Sequence, residues 1–515
     1  DGLEEKQLKF VKKLVRCYQN GLPLRDLAQI FKILNLCAGK IKNQPHFIES
    51  AYDIIKLCGL PFLKKKVSDE ITYAEDTANS IALLGDLMKI PSSELRIQIC
   101  KCIVDFYHAE PPKKHIPGYQ QASSSYKIQM AEVGGLAKTM VQSMTLLENQ
   151  LVEKLWVLKV LQHLSTSEVN CTIMMKAQAA SGICTHLNDP DPSGQLLFRS
   201  SEILWNLLEK SSKEEVIQQL SNLECLLALK EVFKNLFMRG FSHYDRQLRN
   251  DILVITTIIA QNPEAPMILL IDGKVILALF TYVKKPEKQK IIDWSAAQYE
   301  ELQLHAIATL SSVAPLLIEE YMSCQGNARV LAFLEWCESE DPFFSHGNSF
   351  HGTGGRGNKF AQMRYSLRLL RAMVYLEDET VNKDLCEKGT IQQMIGIFKN
   401  IISKPNEKEE AIVLEIQSDI LLILSGLCEN HIQRKEIFGT EGVDIVLHVM
   451  KTDPRKLQSG LGYNVLLFST LDSIWCCILG CYPSEDYFLE KEGIFLLLDL
   501  LAKDQTAASL LIKLW

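Results

Sequence analysis

Apolar residues recur along this chain at helical spacing, and the clearest pattern repeats around three glycines, Gly389, Gly442 and Gly493. Each glycine follows a short segment of mixed charge and leads directly into an apolar pattern. Aligned on the glycine, three positions are apolar in every copy: four residues before (Leu385, Phe438, Leu489), five after (Met394, Leu447, Leu498) and eight after (Ile397, Met450, Leu501). These spacings place the side chains on one face of a helix. We therefore predict a short helix, a sharp corner that the glycine permits because it lacks a Cβ, and a second helix.

A third, longer helical pattern lies between the glycines and is clearest over residues 416–429. Similar patterns occupy residues 151–164, 196–208, 252–260, 302–317, 363–376 and 466–479. Three helices of this size cannot bury their apolar faces alone, so such units must stack on one another. The order of a short, a second and a long third helix is typical of armadillo repeats. The pattern predicts an all-α fold, a right-handed superhelical solenoid of stacked armadillo/HEAT-like repeats.

The repeat interval is longer than such a solenoid requires. Successive glycines are 53 and 51 residues apart, and weaker copies occur at Gly273, Gly326 and the pair Gly134-Gly135. Armadillo and HEAT repeats span about 40 to 47 residues. We therefore place loop insertions near residues 110–125, 188–194, 338–359 and 404–410. None of these insertions resembles an interdomain linker, so residues 1–515 are predicted to form a single continuous solenoid. The pattern over 506–515 stops inside a third helix, and we therefore expect further repeats to follow.

The composition fits a stack of helices with a large core. Of the 515 residues, 47% are hydrophobic and 23% are charged. No alternation of apolar and polar residues is long enough to predict a sheet. The net charge of −7 comes from acidic and basic residues mixed along the chain. Nucleic-acid binding needs basic residues concentrated on one face, so no nucleic-acid partner is expected.

Two basic clusters interrupt this mixture: Lys64-Lys65-Lys66, and the set Lys284, Lys285, Lys288 and Lys290. The simpler interpretation is solvated loop charge. The alternative is contact with an acidic partner surface. Neither cluster is interleaved with aromatic residues, as a binder of single-stranded nucleic acid would require.

The fifteen cysteines lie mostly among apolar neighbours on predicted helices, which is typical of reduced, buried thiols in a cytosolic chain. Their odd number and the lack of a C-x-x-C pair argue against a disulfide framework or a zinc ribbon. No window of 18 residues is uninterruptedly apolar, since even residues 465–482 contain Asp472. We therefore expect no membrane span.

One glycine-rich segment, residues 351–359, contains G-x-G-x-x-G before a predicted helix. A dinucleotide site needs a buried strand before this motif, and a phosphate loop needs a lysine where Asn358 stands. We predict a surface insertion, in which His346 and His351 lack the further ligands of a metal site. The sequence also has no nucleophile elbow and no zinc-protease helix. It predicts no enzyme, no catalytic residue, no cofactor and no metal.

Residues 233–249 carry aromatic and basic residues at helical spacing and resemble a calmodulin target, although an ordinary repeat helix with a charged outer edge explains them more simply. In armadillo stacks the third helices line a groove that binds partners. Nuclear-import adaptors place Trp and Asn one helical turn apart on these helices. Here the residues four after a tryptophan are different: Val160 after Trp156, Glu209 after Trp205 and Leu479 after Trp475. We predict that these tryptophans belong to the core.

Three stretches carry a more specific resemblance than the repeats do: IIKLCGLPFL at 54–63, YQQASSSY at 119–126 and GFSHYD at 240–245. They resemble the cilia- and flagella-associated armadillo-repeat proteins of the motile axoneme, and the resemblance covers essentially the whole chain. It implies a structural subunit of the central apparatus, in a projection from a central-pair microtubule, that supports flagellum assembly and sperm motility. It supplies no catalytic residues.

Two functions are therefore expected. The first is a non-enzymatic cytoskeletal scaffold of the axoneme, which binds other central-apparatus projection proteins and, directly or through them, the microtubule lattice. The second is a soluble cytoplasmic armadillo adaptor that binds or delivers ciliary proteins without residing in the axoneme. Exposed apolar and aromatic residues on the third helices would favour the scaffold, because obligate interfaces are more apolar than transient ones.

Overall fold

The computed structural model describes residues 2–108, 116–147, 150–238, 245–265, 274–285, 295–339, 359–404, 411–452 and 463–503. Within these ranges the chain is almost entirely helical, which confirms the predicted all-α armadillo fold. The chain divides into two compact units, residues 1–229 and 230–515, which are described in turn. The single continuous solenoid over residues 1–515 stays a prediction.

The first unit begins with helices that build three-helix repeats of a short, a second and a third helix. Its helices are α1 (Gly2–Cys17), α2 (Leu27–Lys40), α3 (Phe47–Cys58), α4 (Asp69–Thr72), α5 (Ala74–Asp86), α6 (Ser93–Asp105), α7 (Tyr126–Gly134), α8 (Leu136–Ser143), α9 (Leu151–Leu164), α10 (Glu168–Lys176), α11 (Ala179–Thr185), α12 (Gln195–Lys210), α13 (Lys213–Leu220) and α14 (Leu223–Met238). The third helices of successive repeats, α3, α6, α9 and α12, pack on one another in that order. Residues 188–194 connect α11 to α12.

The second unit repeats the same order of helices, and residues 230–238 of α14 belong to it. Its remaining helices are α15 (Asp245–Ala260), α16 (Val275–Tyr282), α17 (Ala296–Val313), α18 (Ile318–Ser323), α19 (Gly326–Glu338), α20 (Phe360–Val374), α21 (Glu379–Glu387), α22 (Thr390–Ser403), α23 (Ala411–Cys428), α24 (Ile432–Lys451), α25 (Tyr463–Ser473), α26 (Tyr482–Glu490) and α27 (Gly493–Lys503). The third helices α15, α17, α20, α23 and α25 again pack in sequence. All seven patterns assigned to third helices coincide with helices of the structure.

A small sheet in the first unit was not expected from the sequence. It contains β1 (Leu22–Pro23), β2 (Phe62–Lys64) and β3 (Gln120–Gln121), with β2 in the centre, parallel to β1 and antiparallel to β3. Strands of two or three residues are too short to produce an alternating pattern. The sheet joins the stretches 54–63 and 119–126, which are 56 residues or more apart in the sequence.

The corner between first and second helices contains one residue in the left-handed region. The corner residues, with φ between 52° and 81°, are Gly135, Gln178, Lys274, Gln325, Gly389 and Glu492. The residue four before each corner is buried wherever the structure describes it: Ala131, Met174, Tyr321, Leu385 and Phe488. The residue five after is buried at most corners: Met140, Ile183, Leu279, Val330 and Met394. The corner residue therefore sets the register of the repeat.

This geometry corrects the alignment on Gly493 and the position of the corner near Gly442, while the residues aligned on Gly442, Phe438, Leu447 and Met450, are buried as predicted. The left-handed residue of the last repeat is Glu492, one position before the glycine, so Phe488 is buried while Leu489 is 54% exposed. Leu498, expected on the buried face, is also exposed. In α24 the break in helical geometry lies at Gly439 (φ 53°, ψ −157°), three residues before Gly442. Glycine alone therefore does not mark the corner.

Helix α23 is the one described helix with the length and apolar character of a membrane span. However, 83% of its 18 residues are buried inside the protein, and it packs against α20, α22, α24 and α25. This is the environment of a core helix. All fifteen cysteines are free thiols, and most are buried.

Several predicted features lie outside the described residues. They include Gly273, the glycine-rich segment with His346 and His351, the clustered Lys288 and Lys290, the last pattern at 506–515, and most of the insertions at 338–359 and 404–410.

Candidate interaction surface

A row of apolar side chains is exposed on the third helices of the second unit. On α25 and the π-helical turn that continues it, Ile474–Ile478, the apolar residues Phe468 and Trp475 are exposed, as is Leu479 directly after the turn. Tyr375, at the end of α20, is also exposed, and its hydroxyl donates to the carbonyl oxygen of Leu422 on α23 at 3.3 Å. We call Tyr375, Leu422, Phe468, Trp475 and Leu479 the apolar row.

The position of Tyr375 links α20 to α25. Burial, followed by the negative charge of Asp472, raises the pKa of Tyr375 to about 12. Asp472 lies one helical turn after Phe468 on α25. The apolar row therefore extends across α20, α23 and α25.

The exposure of Trp475 corrects the prediction that this tryptophan belongs to the core. Its side chain is 51% exposed, while Trp156 and Trp205 are half-buried. Trp475 lies in the π-helical turn, which contains more residues per turn than an α-helix. The 3.6-residue period of an α-helix therefore does not predict which side chains are buried across such a turn.

An ion-paired row of three arginines borders the apolar row, on α20. Arg364 Nε lies 2.7 Å from Glu415 Oε2, and Arg368 also pairs with Glu415. Arg368 Nε and Arg371 Nη1 lie 3.2 and 2.6 Å from the two carboxylate oxygens of Asp419. Both acids are buried on α23, while the arginine side chains are 35–42% exposed. We call Arg364, Arg368 and Arg371 the arginine row.

A cavity of about 590 Å³ opens where the two rows meet. It is lined by Ser311, Arg368, Arg371, Ala372, Tyr375 and Leu422. Its walls are mainly apolar, and guanidinium groups stand at one side. Such a surface can receive an apolar side chain and, beside it, a hydrogen-bond acceptor.

The arginine row was not predicted from the sequence. A signal was present, because Glu415 and Asp419 stand one helical turn apart in the otherwise apolar helix α23. Buried carboxylates require partners, and the spacing of Arg364, Arg368 and Arg371 places those partners on one helix face. Only the packing of α20 on α23 brings the two sets together.

The first basic cluster is partly engaged within the chain. Lys64 Nζ lies 3.3 Å from Glu70 Oε1. The Lys65 amine stands 5.5 Å from the centroid of the Tyr119 ring. Asp69 Oδ2 accepts from the backbone N–H groups of Lys65 and Lys66, at 2.8 and 3.0 Å. These contacts favour the interpretation as loop charge. In the second cluster Lys284 and Lys285 are exposed.

The segment considered as a calmodulin target is divided between α14 and α15, and residues 239–244 lie outside the described chain. Phe233 and Arg249 are buried. Arg249 Nη1 donates to the hydroxyl of Tyr282 at 2.6 Å. These contacts favour the interpretation as repeat helices.

In the described ranges, no group of three or more His, Cys, Asp and Glu side chains has the arrangement of a metal site. Burial raises the pKa of the Cys102 thiol to about 12 and raises that of Cys58 well above its usual range. Thiols of this kind are neutral and are poor nucleophiles. The described residues with the clearest potential for recognition are therefore those of the third helices.

Comparison with known proteins gives a consistent family. The profile of the family "Cilia- and flagella-associated protein 69, ARM repeat" matches residues 1–269 and 267–514. The human cilia- and flagella-associated protein 69 is 84% identical over an aligned length of 605 residues, and the mouse protein is 74% identical over the same length. The alignments cover 100% of this chain and 64% of each relative.

The aligned length exceeds the 515 residues of this chain, so the relatives contain segments with no counterpart here. Among solved structures, a designed armadillo repeat protein in complex with the peptide (KR)4 is similar at 13% identity and a TM-score of 0.37, over 56% of this chain and 99% of that one. The family assignment depends on the profile and on the curated relatives. On both grounds, this chain belongs to the cilia- and flagella-associated protein 69 family of armadillo-repeat proteins.

Proposed function

We propose that this chain is part of a non-enzymatic structural scaffold of the motile axoneme, a subunit of a central-apparatus projection. It holds neighbouring projection proteins through its third-helix faces and its loops, and it contacts the microtubule lattice directly or through them. Family membership supports the association with cilia and flagella. The armadillo fold supports a role in protein binding.

The observation that carries the proposal is the apolar row. Trp475, Phe468, Leu479 and Tyr375 remain exposed although the same helices bury most of their other apolar side chains. Contiguous exposed apolar residues mark interaction surfaces, and permanent interfaces are more apolar than transient ones. An adaptor that exchanges partners is expected to have a more polar binding face, because its surface is exposed to water between binding events. The row therefore favours a resident subunit.

The test is detergent extraction of motile cilia or flagella, followed by washes of rising salt concentration. The endogenous full-length protein is followed beside a known central-apparatus marker and a known outer-doublet marker. Retention in the insoluble axoneme, with release alongside the central-apparatus marker, supports the scaffold. Axonemes that lack the central pair are the matched control, and there the protein should be lost. Release into the detergent-soluble fraction contradicts the scaffold and indicates the adaptor.

A further inference from the structure

Two lysines flank one tryptophan on the third helices of the first unit. The Nζ atoms of Lys101, on α6, and Lys159, on α9, lie 5.5 and 5.1 Å from the centroid of the Trp156 ring. Arg199 stands on the next third helix, α12. We call Lys101, Trp156, Lys159 and Arg199 the lysine–tryptophan cluster. This cluster is separate from the apolar row and the arginine row.

The positive charge of this cluster is not balanced by ion pairs. In the part of the chain that the structure describes, no carboxylate lies within 4.0 Å of Lys101, Lys159 or Arg199. The guanidinium of Arg199 bonds neutral amides instead: Nη1 donates to Gln162 Oε1 at 2.6 Å and Nη2 to Gln195 Oε1 at 3.4 Å. Its Nε is buried and has no partner among the described residues. This arrangement contrasts with the arginine row, in which every guanidinium pairs with a carboxylate.

Two acids close to the cluster in the sequence, Asp105 and Glu202, have other partners. Glu202 accepts from Gln162 Nε2 at 2.6 Å. Asp105 Oδ1 lies 3.4 Å from His108 Nδ1. The cluster therefore keeps capacity for further acceptors.

His163 lies on α9 next to Gln162, the residue whose side chain accepts from Arg199. Its ring stacks on Tyr107 with a centroid distance of 5.0 Å. Burial, and after it the positive charges of His108, Lys159 and Arg199, lower the pKa of His163. The hydrogen bond between Arg199 and Gln162 holds the α12 guanidinium against α9, the helix that carries Trp156 and Lys159.

We propose that the lysine–tryptophan cluster binds an acidic, extended peptide segment of a partner protein. Peptide carboxylates pair with Lys101, Lys159 and Arg199, and the peptide chain lies across the indole of Trp156. Exposed apolar residues on the same helices, Val152 on α9 and Phe198 on α12, offer contacts to apolar side chains between the acids. A single tryptophan does not provide the series of stacking platforms that a nucleic-acid strand uses. This proposal is independent of residence in the axoneme.

The binding test uses the purified chain and a fluorescent peptide of about ten glutamates, followed by fluorescence polarisation. The peptide should bind at low salt and weaken as salt rises, because exposed charge pairs are screened. In the double variant Lys101→Glu/Lys159→Glu we expect the Kd to rise at least about tenfold. Trp156→Ala should weaken binding severalfold.

Three controls make the outcome decisive. Lys13→Glu/Lys42→Glu reverses two exposed lysines of the same unit outside the cluster and should leave the Kd unchanged. A glutamine peptide of equal length should not bind. If the charge-reversed protein melts early, the neutral variant Lys101→Gln/Lys159→Gln replaces it, with the same direction of change expected.

Two results overturn the proposal. One is equal peptide binding by wild type and the folded cluster variants. The other is tighter binding of an oligothymidylate of equal charge than of the peptide, which would assign the cluster to nucleic acid. Neither result alters the extraction experiment above, so failure of this inference and failure of the scaffold are distinguishable.

Discussion

At the scale of single residues, the corner of each repeat requires a backbone conformation more than it requires glycine. Four of the six left-handed corner residues carry side chains: Gln178, Lys274, Gln325 and Glu492. The glycines that follow some corners meet a different need. A Cβ at Gly326, Gly442 or Gly493 would lie 2.4 to 2.6 Å from the aromatic ring of a residue four or five positions before it.

This close approach explains both the success and the error of the sequence pattern. Glycine recurs because Tyr321, Phe438 and Phe488 pack against its bare backbone. It therefore marks the repeat, but at Gly326 and Gly493 it stands one residue after the left-handed position. The pattern predicted the other corners but missed the one at Gln178, which has no glycine next to it. It could not predict the register, since the left-handed residues are of four types, Gly, Gln, Lys and Glu, that share no side-chain chemistry.

We expect Gly442→Val to lower the free energy of unfolding by more than about 1 kcal/mol, because overpacking forces neighbouring side chains to move. The ideal Cβ would lie 2.5 Å from ring atoms of Phe438. Chemical denaturation of the purified chain measures the change. In a Phe438→Leu background the same substitution should cost less, since the ring that obstructs the Cβ is gone.

Gly396→Ala is the matched control for this substitution. Gly396 is exposed inside α22, and a Cβ there has open space. Alanine should stabilise the helix by up to about 1 kcal/mol. If Gly442→Val unfolds at the same denaturant concentration as wild type, the close approach of Phe438 is not needed for stability.

Asp191 offers a test of pH dependence in the connection from α11 to α12. Its Oδ2 accepts from Leu196 N at 2.8 Å, and its Oδ1 accepts from Ser193 N and Oγ at 2.9 and 2.6 Å. Burial acts to raise the pKa of Asp191, but these hydrogen bonds outweigh it and the pKa is lowered. The ionised carboxylate therefore stabilises the start of α12.

We expect Asp191→Ala to cost about 1 kcal/mol at neutral pH. Because the folded pKa is the lower one, the contribution is complete above the unfolded value of about 3.9 and is lost as the pH falls through the folded pKa. Unfolding free energies of wild type and variant should therefore converge as the pH falls below the unfolded pKa and through the lowered folded pKa. Asp191→Asn, which can still accept hydrogen bonds, should lie between them. A difference that does not change with pH would show that the charge is not what stabilises the helix.

At the scale of elements, long helices could be predicted well and their exposed faces could not. The third helix α9 begins and ends at the residues that the pattern indicated, Leu151 and Leu164. A helix of four turns repeats its apolar period often enough to define itself. The two- and three-residue strands give no period, and the π-helical turn at Trp475 changes the period within one helix. At these places the conformation and the exposed face depend on tertiary packing and not on the local sequence pattern.

The insertion between α19 and α20 illustrates how the ends of a loop can be held. Lys359 is buried at the start of α20, and its Nζ donates to the carbonyl oxygens of Trp336, at 3.0 Å, and Ser339. The same atom lies 4.4 Å from the centroid of the Trp336 ring. One lysine thus satisfies the end of α19 and connects it to α20.

Deletion of residues 346–357 should therefore leave folding intact, with a melting temperature within about 2 °C of wild type, because Lys359 and its partners are kept. Lys359→Ala, in the full chain, should destabilise by more than about 1 kcal/mol, since buried carbonyl groups lose a charged donor. Differential scanning calorimetry compares the two. Loss of a copurifying nucleotide on deletion would instead assign a binding role to the glycine-rich segment.

At the scale of the whole molecule, the described third helices carry two surfaces of different chemistry, one in each unit. The apolar row of the second unit suits a permanent contact. The lysine–tryptophan cluster of the first unit suits an ionic contact that responds to salt. The repeat pattern could predict that third helices bear the surfaces, as they do in armadillo stacks. It could not predict which residues are exposed, since Phe468 and Trp475 look like core residues in the sequence.

The apolar row predicts how the protein behaves in the axoneme. In cells that lack the endogenous protein, we expect full-length protein carrying Phe468→Asp/Trp475→Asp to fold normally, because both side chains are exposed, yet to be retained severalfold less after detergent extraction. Loss of one aromatic anchor at the centre of an interface typically costs about 2 kcal/mol or more of binding free energy. Quantitative immunoblots of the insoluble and soluble fractions measure the retained share.

Tyr482→Asp is the control for this experiment. Tyr482 is 80% exposed, but it begins α26 and does not belong to the third-helix face. It tests whether any exposed aromatic residue would have the same effect. Normal retention of Tyr482→Asp beside loss of the double variant assigns the anchoring to the apolar row. Equal retention of both would mean that the protein is held through another surface, because a permanent interface cannot tolerate two carboxylates in its apolar centre.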